Sequence, residues 1–291
     1  MQSAVCGLVD PFCEHAYGAK YPDDSSAKTL PFTVRQLQTL SSDAQGELGV
    51  VVSPQVNFDP FAPCTVVGTT MTVGAVPAPT VALLAGVAKF RIVSVGVRVT
   101  NIAPALTASG MIHFRSFAQE NAVGLGSIDG TTYSASQVHS RSLQECKGFC
   151  VILERNSQMP QIFYDPLVTA PSNVFADQIF PGTCPLTICG QGLPAATPCI
   201  QVELVMHVEY IFSESAALAL ATTPAPSFNP LITTTANRIT ASSGHIFSDN
   251  VKSVGMYVAK SALNLLATAV SARLGPGAGA LVAAGGSFIT G

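Results

Sequence analysis

Apolar and polar residues alternate with a period of two through much of the chain. Residues 90–117 read FRIVSVGVRVTNIAPALTASGMIHFRSF, with valine at 93, 95, 97 and 99. A short Ala/Pro/Ser/Gly break follows, then a second alternating run through Ile112 and Phe114. Successive side chains of a strand point to opposite faces, so this pattern predicts two β-strands. The longest clean alternation is IQVELVMHVEYIF, residues 200–212. Val202, Leu204, Met206, Val208, Tyr210 and Phe212 take one side; Gln201, Glu203, His207 and Glu209 take the other, with Val205 and Ile211 among them. A period of two held this long predicts a half-buried antiparallel strand.

Shorter strands are predicted at residues 31–40, 47–53, 64–73, 148–154, 161–164 and 185–190. The first of these changes phase near Gln36, as a bulge would. Residues 79–87 suit a helical turn or two, and the polar, glycine-rich stretch from 118 to about 141 reads as an exposed loop. Seven or eight strands with Gly/Pro-rich turns and little helix between them predict an all-β sandwich or barrel. The connections differ greatly in length, which favours an eight-stranded antiparallel jelly-roll sandwich over an up-and-down barrel.

Outside the β body, residues 28–214, the pattern changes. Residues 1–27 form an irregular N-terminal arm, ordered only by contact with something else. Residues 215–247 are an Ala/Thr/Pro-rich linker. Residues 248–274 predict an amphipathic helix, capped by Ser248 or Asp249 and stopped by Gly275-Pro276. Its apolar side carries Val251, Val254, Val258, Leu265 and Leu266. Lys252, Ser253, Lys260, Asn264 and Ser271 lie opposite, while Met256 and Leu263 blur the edge. Residues 275–291 are a Gly/Ala-rich apolar tail.

Composition narrows the class. The 291 residues are 48% hydrophobic and 11% charged, against about 25% charged in an ordinary soluble domain. A solitary molecule needs charged surface to stay dissolved, so much of this exterior is expected to be covered by other subunits. No run of about 18 bulky apolar residues predicts a spanning helix. The N-terminus lacks a basic segment before an apolar one, so no signal peptide is expected. Charge is unevenly placed: beyond Pro230 stand Arg238, Lys252, Lys260 and Arg273 against Asp249 alone. The eight cysteines include no CxxC pair; they read as buried reduced thiols, with disulfides open in oxidising surroundings.

Candidate chemistry is sparse. GxSxG, HExxH and a phosphate loop are missing, and His15, His113, His139, His207 and His245 are dispersed. No enzyme site can be assembled from these residues, and no catalytic residue is assigned. Asp23, Asp24, Asp59 and Asp165 sit in expected loops. Such hard oxygen ligands suit calcium; the competing reading is turn-forming Asp beside Pro or Ser. Arg238, Lys252, Lys260 and Arg273 are candidate RNA-phosphate contacts, sequence-independent and salt-sensitive; a solvated helix face is the alternative. The apolar side of the helix, with the tail, is a candidate membrane-active face.

The run AKFRIVSVGVRVTNIAPALTASGMIHF resembles the central strand pair of single-jelly-roll coat proteins of small icosahedral positive-strand RNA viruses. The likeness is to noda-like and tombus-like coats. VELVMHVEYIF is similar to the last strand of that fold, and the late helix with its Gly/Ala tail resembles the C-terminal peptide of noda-like coats. The resemblance covers most of residues 28–274. It implies a structural shell protein that self-assembles in many copies around genomic RNA, with the C-terminal helix facing inward. It implies assembly in the host cytoplasm, residence in the virion, a host receptor and transient contact with a host membrane. Related coats glue subunits with calcium, and noda-like coats cleave themselves after an Asn before the helix; Asn237 and Asn250 lie in that region. One feature departs from the family: residues 1–27 hold Lys20 and no arginine, which puts RNA packaging through that arm in doubt. The alternative is a lectin-like β-sandwich that binds carbohydrate or a receptor; the lack of tryptophan argues against it. A cupin-like enzyme would need a His/Glu cluster on neighbouring strands, and none is visible.

Overall fold

A computed structural model describes residues 8, 10–23, 27–52, 60–67, 70–73, 86–117, 135–152, 163–165, 186–214, 216–224 and 247–248. Twelve strands among them are β1 (Lys28–Ser41), β2 (Leu48–Val52), β3 (Phe61–Val67), β4 (Thr70–Val73), β5 (Val87–Asn101), β6 (Met111–Phe117), β7 (Ala135–Ser142), β8 (Lys147–Ile152), β9 (Leu186–Gln191), β10 (Pro198–Phe212), β11 (Thr223–Pro224) and β12 (Phe247–Ser248). They form two six-stranded sheets, in the orders β11-β1-β10-β5-β8-β12 and β4-β3-β2-β9-β6-β7. The chain changes sheet from β1 to β2, from β4 to β5, from β5 to β6, and at each step from β7 to β10. The result is four antiparallel pairs, β1 with β10, β2 with β9, β5 with β8 and β6 with β7. That connectivity is the jelly-roll sandwich expected from the pattern.

The core fills the space between the sheets. Val50 and Val52 of β2, Ile112 and Phe114 of β6 and Ile188 of β9 meet Val95, Val97 and Val99 of β5, Phe149 and Val151 of β8, and Val202, Leu204, Met206 and Val208 of β10. The rings of Phe114 and Phe149 lie 4.8 Å apart and join the two layers. Burying each such side chain contributes about 1.5–3 kcal/mol, so the alternation itself drives the sheets together.

Several local expectations need correction. The phase change in β1 is not at Gln36, which pairs in register with Leu204; the irregularity falls between Leu40 and Ser41. β5 instead carries a bulge at Val93, between the pairs His207–Ser94 and Val208–Ile92. Phe90 and Ile92 therefore share the core with Val95, Val97 and Val99, and Val93 is out of that set. Residues 64–73 are not one strand but parts of the β3–β4 pair. The segment expected to be an exposed loop to about 141 ends in β7. Its sequence, ASQVHSRS, hid the strand because an edge strand needs few apolar residues. Of the expected strand at 161–164, residues 161 and 162 lie outside the described residues, and Tyr164 forms a single bridge to Phe90. The helical turn expected at 79–87 lies almost wholly outside the described residues.

One end of the sandwich is tied by its connections. Ser42 N–H donates to Thr197 O, Leu193 N–H to Gly46 O, Leu143 N–H to Gly110 O and Ile102 N–H to Cys199 O. Gly110 is required there: its φ is +91°, and a Cβ would stand 2.4 Å from Gln191 O.

Candidate functional site

The outward face of the first sheet is where the structure departs most from a half-exposed strand. Glu203, His207 and Glu209 on β10 are buried, as are Arg91 and Ser94 on β5. Residues 10–23 lie across them. This strap comprises a turn at Asp10–Cys13, a 3-10 turn at Glu14–Ala16 and an extended run to Asp23. The arm expected at residues 1–27 thus has, over this stretch, its own sheet as the ordering contact.

At one end of the strap Arg91 is the hub. Its Nη2 donates to Glu209 Oε1 and Oε2 at 3.0 and 2.9 Å and to Tyr21 O at 3.2 Å, and its Nη1 pairs with Asp23. The guanidinium lies over the rings of Phe163 and Tyr21, at 4.4 and 5.4 Å. Glu209 also accepts from Tyr21 N–H and from Thr29 Oγ1. Lys20 Nζ donates to Thr29 O, Thr223 O and Thr223 Oγ1 within 2.7 Å, stitching the strap to β1 and β11. Burial lowers the Lys20 pKa, and nearby Glu209 opposes the shift. Arg91, Glu209 and Asp23 are buried together, where an unpaired charge would cost several kcal/mol, while the half-buried Lys20 adds a second cation at the margin.

The middle is held by His207. Its Nε2 lies 2.8 Å from Pro11 O and its Nδ1 2.9 Å from Thr33 Oγ1. A carbonyl only accepts, so Nε2 carries the proton and Nδ1 accepts from the threonine. Burial pushes the His207 pKa down. Tyr17 meets the imidazole edge-on at 5.9 Å.

At the far end Glu203 is shared between Arg35 and Arg98. Arg98 lies 5.2 Å from the ring of Phe12. Phe12 and Pro11 cover Gly96 so closely that a Cβ there would sit 2.6 Å from the Phe12 ring. Asp10 Oδ1 accepts from Phe12 N–H at 3.0 Å. Burial raises the Asp10 pKa to about 6, against the lowering effect of the Phe12 and Cys13 amides. The arrangement is a clamp: charge, one imidazole and one aromatic plug bind a peptide segment to the sheet.

Of the clamp's residues only Asp23 was singled out from sequence, as a candidate calcium ligand, although a signal for the arginines and glutamates was present. Arg91 and Arg98 are seven residues apart, Glu203 and Glu209 six. An odd spacing should put the two arginines on opposite faces. The bulge at Val93 restores them to one face, directly across from Glu209 and Glu203.

The fold has counterparts among solved structures. The T13 particle of infectious bursal disease virus matches with a TM-score of 0.62 at 12% identity, over 92% of this chain and 98% of that one. The chain folds as viral capsid proteins do. The VP2 subviral particle of the same virus matches at TM-score 0.60 and 11% identity, over 87% and 98% of the two chains. Tobacco necrosis virus is a fainter match, TM-score 0.41 at 15% identity over 62% and 96%, and no weight rests on it. No family model matches the sequence, and no curated protein does.

The residues proposed from sequence are placed unevenly. Asp23 is engaged by Arg91 and belongs to the clamp. Asp165 is exposed, 4.0 Å from Lys89 Nζ. Asp24 and Asp59 lie outside the described residues, as do Arg238, Lys252, Lys260 and Arg273, the face Val251, Val254, Val258, Leu265 and Leu266, and Asn237 and Asn250. No group of three or more His, Cys, Asp or Glu suited to a metal occurs among the described residues. Six cysteines, Cys13, Cys64, Cys146, Cys150, Cys189 and Cys199, form no disulfide. Burial pushes Cys64, Cys150 and Cys189 up to about 12.

Proposed function

We propose that this chain is the structural subunit of an icosahedral viral shell. The observation that carries the reading is the jelly-roll connectivity, shared over 92% of the chain with the subunit of a virus particle. Composition supports it from a separate direction. A chain with 11% charged residues is suited to have its exterior buried between copies, and a two-layer sandwich makes a rigid tile. In this reading the enclosed cargo is RNA, met by Arg238, Lys252, Lys260 and Arg273 through phosphate contacts. The apolar face of residues 248–274 lies under the shell until it meets a membrane on entry. Calcium between subunits would draw on Asp165 with Asp24 and Asp59, since the Asp23 carboxylate is taken by Arg91.

Negative-stain microscopy of the purified chain tests the central claim. Uniform closed shells are expected. A stable monomer at high concentration, across salt and pH, would remove the proposal and favour a binding module.

A further inference from the structure

The sheet edges are not equally protected. On β7, Arg141 and His139 turn inward over Phe149, at 4.6 and 5.2 Å. Inward-pointing charge of this kind discourages pairing with another chain. β8 is only six residues long and is covered by β12 at Cys150 and Val151. β1 is different. It runs for 14 residues, and β11 pairs with only Lys28 and Thr29. From Leu30 onward no described strand lies on its outer side. That length carries no lysine, its one arginine is held by Glu203, and Leu37 is 62% exposed.

The direction of the free backbone groups can be deduced. Pro31 lies within the strand, opposite Glu209. Proline has no N–H, so it is tolerated in a strand where its nitrogen faces the open edge. Residues of the same parity, Thr33, Arg35, Leu37 and Thr39, therefore turn their N–H and C=O groups outward. An antiparallel partner strand with the same sequence, centred on Leu37, meets these groups in register. Arg35 then falls opposite Thr39 of the second copy, Val34 opposite Leu40, and Leu37 opposite itself, with no like charges facing. Gln36 falls opposite Gln38. The side-chain oxygens of both are buried without a partner in the single chain. Rotating the two carboxamides lets each donate to the other.

We propose that the open edge of β1, residues 34–40, pairs antiparallel with the same edge of a second copy about a two-fold axis at Leu37. The proposal deepens the shell reading by naming one contact between subunits, and rests on it. Opposed Cα atoms in a hydrogen-bonded antiparallel pair are about 5.5 Å apart, within the range a disulfide spans. Leu37→Cys in the full chain, oxidised under assembling conditions, is expected to give covalent dimer several-fold above wild type and above Leu106→Cys. Leu106 is fully exposed in a loop and serves as the control. Leu37→Pro removes the central outward N–H while leaving the pairing with β10 intact. It is expected to keep the circular dichroism of the wild type and lose the two-fold contact in sedimentation velocity. Dimer no more abundant for Leu37→Cys than for the control, in preparations that microscopy shows to contain shells, overturns this contact and leaves the shell reading standing. Dimers through Leu37 without shells keep the contact and remove the shell reading.

Discussion

Arg91 is 1% exposed and faces Glu209 and Asp23, with aromatic rings over the guanidinium. Its forked donors reach Glu209 and the Tyr21 carbonyl from one nitrogen while the other holds Asp23. Lysine offers no such fork. Arg91→Met removes the fork that holds the buried carboxylates of Glu209 and Asp23, and about 3–5 kcal/mol of stability should be lost. Urea unfolding of the dissociated chain, followed by circular dichroism, measures it. Asp10 makes a second residue-scale case. Its pKa of about 6 lies above its ordinary 3.8, because burial disfavours the charged form. Between those values the released strap has lost the proton while the docked strap still holds it, so docking weakens as pH rises from about 4 to about 6 and then levels off. Cys150 on β8, itself beside Arg98 and Glu203, is a titratable neighbour of Asp10 on the sheet beneath. His207 acts the other way: its lowered pKa means that protonation in acid opposes docking. Comparing Asp10→Asn with wild type isolates the carboxylate. The variant's strap should be better protected from hydrogen exchange at neutral pH, and the difference should vanish near pH 4.

At the level of elements, the strap and the first sheet are mutually dependent through shape as well as charge. Gly96 is the only residue type that leaves room for Phe12, since any Cβ would stand 2.6 Å from the ring. Gly96→Ala should displace the strap while β5 keeps its pairing with β10 and β8. Lys20 is the only lysine or arginine in the first 27 residues, so trypsin cleavage there reports release directly. Faster cutting than in wild type, with unchanged strand content, is the expected result; an unchanged rate would show that Phe12 does not anchor the strap. The same elements show what pattern can and cannot reveal. β10 was legible because six alternate apolar residues line the core. β7 was not, because its polar sequence matches that of a loop. The Val93 bulge was hidden in an unbroken run of alternate valines, and with it the alignment of Arg91 and Arg98 against their glutamates.

For the whole molecule, sparse charge has a consequence for assembly. If copies join through apolar surface and strand edges, added salt should not separate them. Burial of apolar area is insensitive to ionic screening, whereas exposed charge pairs fade over a Debye length that shrinks to about 3 Å at 1 M. Shells prepared at low salt are expected to remain sedimentable at about 1 M NaCl. Dissociation there would mean that charge, rather than apolar contact, holds the subunits.

The residue pattern alone determined that this chain is all-β, which strands line the core and which connections are too unequal for a simple barrel. Those properties follow from side-chain period and turn chemistry, which act over a few neighbouring residues. Which strands pair, that the polar face of β10 is buried and that residues 10–23 bury it were decided only by the tertiary structure. Glu203, His207 and Glu209 look solvent-facing until Arg35, Arg91, Arg98 and the strap arrive from distant parts of the chain to neutralise and cover them. A charge can be buried only where its partner is, and that meeting is a property of three-dimensional proximity.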